Sequence, residues 1–222
     1  MTLQLNTIYN EDCLETMKRM PDEFVDAIIS DPPYAMSYVS SRRKQKFAPI
    51  KDDDNLDWLQ PFCDEAYRVM KQDSHIYLFC NDYAISDFRN ALVKSGFNPK
   101  RALVWVKNNH TSGDLLGDYA NKTEFVVFAH KGRRLLNGGR ETNVLQFKRV
   151  GNMQHPTQKP VDLVAYLLNK STNENDIVYD PFMGSGTTAK ACLDLNRNYI
   201  GSEISKEYCD IAEQRLRQGV LL

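Results

Sequence analysis

The sequence predicts a single α/β domain with a mainly parallel sheet that helices cover on both faces. Short apolar runs alternate with amphipathic stretches along most of the 222 residues, which is the pattern of parallel strands joined by helices. A hydrophobic content of 42% is enough for one sizeable core. We therefore interpret residues 1–222 as one domain without internal repeats.

Each predicted element follows from its own local pattern. The predicted strands are residues 25–30, 75–80, 102–106, 124–129, 177–179 and 199–202. The predicted helices are residues 14–20, 56–70, 83–95, 161–169, 187–195 and 206–218. The last helix has a packed face with a helical period, formed by Tyr208, Ile211, Ala212, Arg215 and Leu216. We expect the strands at 102–106 and 124–129 to form an antiparallel pair at one edge of the sheet.

Two stretches, about 35–55 and 108–153, interrupt this alternation with polar, charged and glycine-rich sequence. Loops this long inside a compact domain are usually functional. Residues 100–150 contain ten Lys or Arg against four Asp or Glu, although the net charge of the chain is only −1. Any contact with nucleic acid is therefore expected to come from a local basic patch.

The remaining composition excludes several classes of protein. The five cysteines are scattered without a CxxC pair, which argues against disulfides and against a metal site, and fits a reducing compartment. No apolar run approaches the ~20 residues of a membrane span, and there is no signal-peptide pattern. We expect a soluble, cytoplasmic protein with no membrane partner.

The most informative motif is Asp31-Pro32-Pro33-Tyr34, which follows the predicted strand at 25–30. The carboxyl ends of strands are where open α/β sheets place their ligands. The prolines fix the backbone and donate no N–H, so carbonyl oxygens remain available to a substrate. A carboxylate, carbonyl oxygens and an aromatic ring together suggest chemistry on the exocyclic amino group of a base.

A second motif combines a strand, a glycine turn and a helix start, from Asp180-Pro181-Phe182-Met183 through Gly184-Ser185-Gly186 to Thr187-Thr188. The start of the following helix offers unpaired N–H groups to an anion. The turn is neither a Walker loop nor a full GxGxxG fingerprint. Glu203 follows after a further strand, at the distance typical of an acid that binds ribose hydroxyls. This arrangement indicates a nucleoside-binding half of a sheet.

These two motifs, joined by His155-Pro156-Thr157-Gln158-Lys159-Pro160, resemble those of the amino-group DNA methyltransferases that use S-adenosylmethionine. The catalytic motif precedes the cofactor motif, which resembles the permuted order of the β-type enzymes. The resemblance covers nearly the whole chain, apart from about 108–153. It implies a Rossmann-like class I methyltransferase fold and a DNA substrate.

The resemblance also implies roles for individual residues. The catalytic set is Asp31, Pro32, Pro33 and Tyr34. The cofactor set is Asp12, Cys13, Thr157, Lys159, Asp180, Phe182, Gly184, Ser185, Gly186, Thr187, Thr188 and Glu203. Asp12 also fits the N-cap of the helix that begins at Leu14. The basic clusters Arg42, Arg43, Lys44, Lys46 and Arg133, Arg134 are the candidate DNA-binding residues, with solvated surface as the alternative.

The expected reaction is transfer of a methyl group to adenine N6. Asp31 and a carbonyl of Pro32 or Pro33 would accept the two amino N–H bonds and free the nitrogen lone pair for attack. Tyr34 would stack on the base, an interaction worth about 1–3 kcal/mol. The base must be flipped out of a duplex to reach such a pocket.

Three alternatives remain open at this point. The first is methylation of cytosine N4, although Asp31 leans toward adenine because the resembling cytosine enzymes more often carry Ser or Thr there. The second is methylation of a protein glutamine or an RNA amine. The third is a non-catalytic module that binds DNA or the cofactor. A homodimer is also possible on the sequence alone.

Overall fold

The computed structural model describes residues 3–33, 55–110, 116–117, 119–151 and 158–218. The strands in these parts are β1 (Thr7–Tyr9), β2 (Val25–Ser30), β3 (Met70–Cys80), β4 (Asn98–Pro99), β5 (Leu103–Val106), β6 (Thr123–Lys131), β7 (Val144–Gln146), β8 (Ile177–Asp180) and β9 (Asn198–Ser202). The helices are α1 (Cys13–Lys18), α2 (Leu59–Val69), α3 (Ile85–Lys94), α4 (Val161–Ser171), α5 (Thr187–Asp194) and α6 (Lys206–Gln218).

The described strands form one sheet with the order β1-β9-β8-β2-β3-β6-β5-β7, and β4 pairs with β6 beside this path. The five strands β1, β9, β8, β2 and β3 are parallel to one another. Strand β6 is antiparallel to both β3 and β5, and β7 is parallel to β5. The predicted class, a mainly parallel sheet with an antiparallel part, is confirmed.

Side chains alternate between two hydrophobic cores, one on each face of the sheet, because neighbouring residues of a strand point to opposite sides. In β3, Ile76 and Leu78 pack with helices α1, α2 and α3, whereas Tyr77 and Phe79 pack toward α4, α5 and α6. All four are at most 1% exposed. The helices that cover both faces therefore hold the central strands in a dry layer.

The structure corrects some element boundaries. Strand β3 begins at Met70 instead of residue 75, directly after α2, and three short strands, β1, β4 and β7, were not predicted. The antiparallel pair of β5 and β6 is present, but β7 lies outside β5 and forms the edge. No described helix is long and apolar enough to cross a bilayer.

Strands β2 and β8 are neighbours at the point where the chain changes direction across the sheet. From β2 the chain proceeds through α2 to β3 on one side, and from β8 it proceeds through α5 to β9 on the other side. Open sheets form their ligand crevice at such a point, outside the carboxyl ends of the strands. The two sequence motifs follow these two strands, so the fold brings them together.

Candidate active site

An open cleft lies at the carboxyl ends of β2 and β8. Many of the predicted site residues line it, namely Asp31, Lys159, Asp180, Phe182, Gly184, Ser185, Thr187 and Thr188. Gln158 and Phe79 complete the wall on the side of Lys159.

A hydrogen bond joins the two strands that carry the motifs. Ser30 Oγ donates to Asp180 Oδ1 at 2.5 Å, and the Phe182 N–H donates to the same oxygen at 3.1 Å. Burial raises the pKa of Asp180 to about 6, although these hydrogen bonds and one from Thr188 act in the opposite direction. Asp31 adds to the rise because its charge faces Asp180. The two carboxyl groups therefore belong to one electrostatic site.

Asp31 is part of a chain of charges that extends across the sheet. Lys159 Nζ lies 2.5 Å from Asp31 Oδ2 and 3.2 Å from Glu124 Oε2. Lys107 Nζ lies 2.6 Å from Glu124 Oε1. The sequence pointed to Asp31 and Lys159 but not to their contact, and it gave no signal for Lys107 or Glu124.

The pKa values of this chain reflect competition between burial and charge. Burial would lower the pKa of Lys159, but Asp31 and Glu124 outweigh it and the net shift is upward. Burial would raise the pKa of Glu124, but Lys159 and Lys107 outweigh it and the net shift is downward. Lys159 and Glu124 are therefore held in their charged forms.

The glycine turn adopts a left-handed backbone that favours glycine. Gly184 has φ +53° and Gly186, the N-cap of α5, has φ +79°. A Cβ on Gly186 would lie 3.0 Å from the Ala212 Cβ and 3.3 Å from its Cα, so α6 packs directly against the turn. The first N–H groups of α5 have no partner within the helix, and the first two residues of α5, Thr187 and Thr188, line the cleft. They provide donors for an anionic group of a ligand.

Glu203 is fixed to the glycine turn. Its carboxylate accepts hydrogen bonds from the N–H groups of Gly184 and Ser205, both at 2.8 Å. Burial raises its pKa, against the effect of these hydrogen bonds. Asn10 Nδ2 donates to the Glu203 carbonyl at 2.8 Å, which places the loop after β1 beside this acid.

Asp12 and Cys13 lie on that same loop and the start of α1. Asp12 is the N-cap of α1, and its carboxylate accepts from the Leu14 N–H at 2.8 Å. The Cys13 thiol is buried, which raises its pKa to about 12, with a further contribution from the charge of Asp12. The capping alternative is therefore present in the structure, while contact of either residue with a cofactor stays a prediction.

An aromatic cluster supports the other wall of the cleft. The Phe182 ring lies 5.1 Å from the Trp58 ring and 5.9 Å from the Phe62 ring, both in edge-to-face contacts. Trp58 and Phe62 come from the start of α2, so helices on the α1–α3 face hold Phe182 in place. Trp58 Nε1 is buried without a hydrogen-bond partner in the described parts of the chain.

Arg215 in α6 is a supporting residue for which the sequence pattern indicated only a place on a packed helix face. Its Nη1 donates to the Ser185 carbonyl at 3.1 Å and to Thr187 Oγ1 at 3.2 Å. The Thr187 hydroxyl is also 3.4 Å from the Lys159 carbonyl. These contacts tie the glycine turn to α6 and to the segment before α4.

Some predicted residues lie outside the described residues, namely Tyr34, Arg42, Arg43, Lys44, Lys46 and Thr157. Pro32 and Pro33 are described and follow Asp31 as irregular backbone, with Pro32 buried. In the described ranges, no group of three or more His, Cys, Asp or Glu side chains is arranged to hold a metal ion.

Arg133 and Arg134 lie at the end of the strands opposite the cleft, near the start of β3. They follow β6, whose last residue pairs with Ser74 near the start of β3. The Arg133 N–H donates to Asp73 Oδ1 at 2.7 Å, and the Arg134 carbonyl lies 3.2 Å from His75 Nε2. Because β6 runs antiparallel to β3, its last residues lie at the end of the sheet that is away from the cleft. This position does not agree with a role of Arg133 and Arg134 in binding DNA beside the cleft.

Other basic residues of the stretch 108–153 lie at the same end of the strands as the cleft. Lys122 directly precedes β6, and Lys148 and Arg149 follow the carboxyl end of β7. The Arg149 N–H donates to Asn108 Oδ1 at 2.8 Å, which joins the ends of β5 and β7. Lys122 and Lys148 are exposed.

Comparison with known proteins gives a consistent result. Residues 25–147 and 137–214 match the model of the N6/N4 methyltransferase family, described as DNA methylase. The chain is 35% identical over 212 residues to YubD of Escherichia coli (strain K12), described as a methylase, and covers 87% of that protein and 92% of this one. It is 30% identical over 250 residues to the type II methyltransferase M.HinfI of Haemophilus influenzae, covering 69% of that protein and 96% of this one.

Solved structures show the same fold. The crystal structure of the M1.HpyAVI–SAM complex is 32% identical with a TM-score of 0.73, covering 95% of this chain and 98% of that one. The cytosine-N4-specific PvuII DNA methyltransferase is 18% identical with a TM-score of 0.80, covering 96% and 87%, and supports the fold alone. This chain therefore belongs to the N6/N4 family of DNA methylases, the amino-methyltransferases that act on adenine N6 or cytosine N4.

Proposed function

We propose that this protein transfers a methyl group from S-adenosylmethionine to N6 of an adenine that is flipped out of DNA. The observation that carries the proposal is the position of Asp31. Its carboxylate stands at the carboxyl end of β2 and lines the same cleft as the glycine turn after β8. A group that accepts hydrogen bonds from an amine and a site for a methyl donor are thus neighbours.

The residues around the glycine turn fit S-adenosylmethionine. Glu203 is the acid for the ribose hydroxyls, Gly184 and Gly186 allow close approach of the backbone, and the start of α5 offers N–H donors to the carboxylate of the methionine part. When bound, this cofactor supplies a methyl group activated by the sulfonium. The M1.HpyAVI structure, which was solved with SAM, supports this assignment at 32% identity.

Asp31 and the proline carbonyls would act on the amino group of the base. The lone pair of an exocyclic amine is delocalised into the ring, which makes the nitrogen a poor nucleophile. Hydrogen bonds from its two N–H groups to the Asp31 carboxylate and to a carbonyl of Pro32 or Pro33 favour a pyramidal nitrogen with an available lone pair. Holding that nitrogen in line with the methyl group supplies much of the acceleration.

The cleft edge suits DNA because it combines this acceptor site with exposed cations. Lys122 and Lys148 are exposed, and they and Arg149 lie beside β6 and β7 at the same end of the sheet as the carboxyl ends of β2 and β8. Cations at such an edge contact phosphates and position the duplex, while a base must leave the stack to reach Asp31. Tyr34 stays the proposed residue for stacking on that base.

The choice of adenine over cytosine rests on Asp31, where the resembling cytosine enzymes more often have Ser or Thr. We would incubate the protein with duplex DNA and isotopically labelled S-adenosylmethionine, digest the product to nucleosides and identify the labelled base by mass spectrometry. The expected product is N6-methyladenine. Label in N4-methylcytosine would contradict the adenine assignment, and label in neither base would contradict DNA methylation.

A further inference from the structure

Four charged side chains of alternating sign form a row from the interior of the sheet to the candidate catalytic carboxylate. Lys107 follows β5, Glu124 is in β6, Lys159 precedes α4 and Asp31 follows β2. The nitrogen–oxygen distances along the row are 2.6 Å, 3.2 Å and 2.5 Å. Each interior member contacts a partner of opposite sign on both sides.

The row is unusually dry for a set of charges. The side chains of Lys159 and Lys107 are only 6% and 7% exposed, and those of Asp31 and Glu124 are 18% and 22% exposed. Lys159 Nζ also lies 5.2 Å from the centre of the Phe79 ring. Because buried ion pairs often contribute no more stability than apolar side chains of similar volume, such a row suggests a functional role.

Lys159 poses a problem for the proposed reaction. Asp31 must accept a hydrogen bond from the amino group of the target base, yet its Oδ2 is in contact with a lysine ammonium. The ammonium competes with the amine for the carboxylate and reduces the electron density that the carboxylate can offer. Lys159 therefore needs a second anion that can hold its charge when the base arrives.

We propose that Glu124, in β6, is a positioning residue: its carboxylate binds the Lys159 ammonium and thereby frees Asp31 to accept a hydrogen bond from the target amino group. Lys107 fixes Glu124 from the other side, so that the glutamate keeps its orientation as Lys159 shifts between the two carboxylates. This inference rests on the proposed function. It assigns a catalytic contribution to a strand that carries none of the recognised motifs.

The test is the variant Glu124→Gln, which keeps the size of the side chain and removes its charge. We expect kcat for DNA methylation to fall about tenfold or more while KM for S-adenosylmethionine stays within about threefold. The reason is that Lys159 needs the Glu124 charge only when Asp31 binds the amino group of the target base. Glu124→Asp, which retains the anion, should recover part of kcat. The matched control is Glu141→Gln, since Glu141 is an exposed partner of Lys170 at 3.0 Å.

A purely structural role predicts a different result. With such a role, Glu124→Gln would lower thermal stability, cofactor binding and DNA binding together. The double variant Lys107→Met/Glu124→Gln would then restore kcat, because it removes one positive and one negative charge. Our proposal expects the double variant to keep the low kcat, since Lys159 still lacks its second anion. Restored kcat in the double variant would overturn the proposal, as would an unchanged kcat in Glu124→Gln.

The outcome can be separated from failure of the proposed function. If the unaltered protein methylates neither base of DNA, the proposed function itself fails before the variants are compared. If the unaltered protein methylates DNA and Glu124→Gln behaves as Glu141→Gln does, only the role of Glu124 is refuted.

Discussion

Ser30 Oγ donates a hydrogen bond of 2.5 Å to Asp180 Oδ1, and this contact joins the strand that leads into Asp31 to the strand that leads into the glycine turn. The two residues are 150 positions apart in the chain. Both are buried, at 1% and 4% exposure, so the hydrogen bond replaces water as the partner of the carboxyl group. The relative position of the two motifs thus depends on a contact between Asp180, the first residue of one motif, and Ser30, which directly precedes the other.

The pH dependence of stability should report on Asp180. Its pKa is raised by burial from an ordinary 3.8 to about 6, so the folded state binds a proton more tightly than the unfolded state does. The contribution of this group is therefore fully present below an ordinary aspartate pKa and is lost as pH rises through about 6. Urea unfolding should show that the free energy of unfolding of the unaltered protein, relative to that of Asp180→Asn, increases as pH falls from about 7 to 4.5. An identical difference at both pH values would contradict this.

Substitution of Gly186 should damage the cofactor site more than the same change elsewhere. Gly186→Ala places a Cβ 3.0 Å from the Ala212 Cβ at a φ of +79°. Gly139→Ala has a similar φ of +82° but nothing within 4 Å, and so isolates the backbone strain. We expect about 1 kcal/mol of lost stability for Gly139→Ala and about 2 kcal/mol or more for Gly186→Ala. Calorimetric titration with S-adenosylmethionine should show weaker binding for Gly186→Ala alone.

Arg215 should be important for cofactor binding although it lies behind the glycine turn. Arg215→Met removes the hydrogen bonds to the Ser185 carbonyl and to Thr187 Oγ1 while keeping much of the apolar side chain. We expect the Kd for S-adenosylmethionine to rise about tenfold, which corresponds to about 1.4 kcal/mol. Arg217→Met on the same helix is the control, because the Arg217 side chain is 80% exposed. Equal Kd values for the two variants would argue against a supporting role for Arg215.

The DNA-binding surface should be at the end of the strands where the cleft lies, and not at the opposite end. Charge reversal in the pair Lys122→Glu/Lys148→Glu should weaken DNA binding and flatten its dependence on salt, since fewer phosphate contacts release fewer counterions. The single variant Arg133→Glu, at the opposite end, should bind as the unaltered protein does. Titration of a fluorescent duplex at several salt concentrations measures both quantities. If Arg133→Glu weakens DNA binding and the double variant does not, the DNA-binding surface would instead be at the predicted cluster of Arg133 and Arg134.

Asp31→Ala should abolish methyl transfer and leave cofactor binding largely intact. The variant removes the acceptor for the amino group, whereas Lys159 retains Glu124 as a partner at 3.2 Å. We expect the rate of label transfer to fall by about a thousandfold, while the Kd for S-adenosylmethionine changes little. Asp87→Ala, an exposed change on α3, serves as the control. Substantial activity in Asp31→Ala would remove this residue from the proposed mechanism.

The elements that could be predicted were those with a local signal. The strand before Asp31 and the strand before the glycine turn are apolar runs with turn residues after them, and both were predicted within a residue of their observed bounds. Strands β1, β4 and β7 have only two or three residues, too few for a periodicity of two to be recognised. They form because a neighbouring strand supplies hydrogen-bond partners.

The contacts that support the site had no such signal. Lys159 is 128 residues from Asp31, and Arg215 is 30 residues from Ser185. Glu124 looked like the start of an apolar strand, and Arg215 looked like part of a packed helix face. Charge pairing across strands depends on sheet order, which single-sequence patterns do not contain.

The sequence by itself determined the local features of this protein: an α/β class, a carboxylate followed by two prolines, a glycine turn and an acid at the spacing typical of ribose binding, in an order that resembles amino-group DNA methyltransferases. These are local properties, set by backbone freedom and by residue type. Only the tertiary structure decided which charges meet Asp31 and which basic residues share its edge. The antiparallel direction of β6 carries Arg133 away from the cleft and brings Glu124 to Lys159, because reversing a strand exchanges the ends that lie at each edge of the sheet.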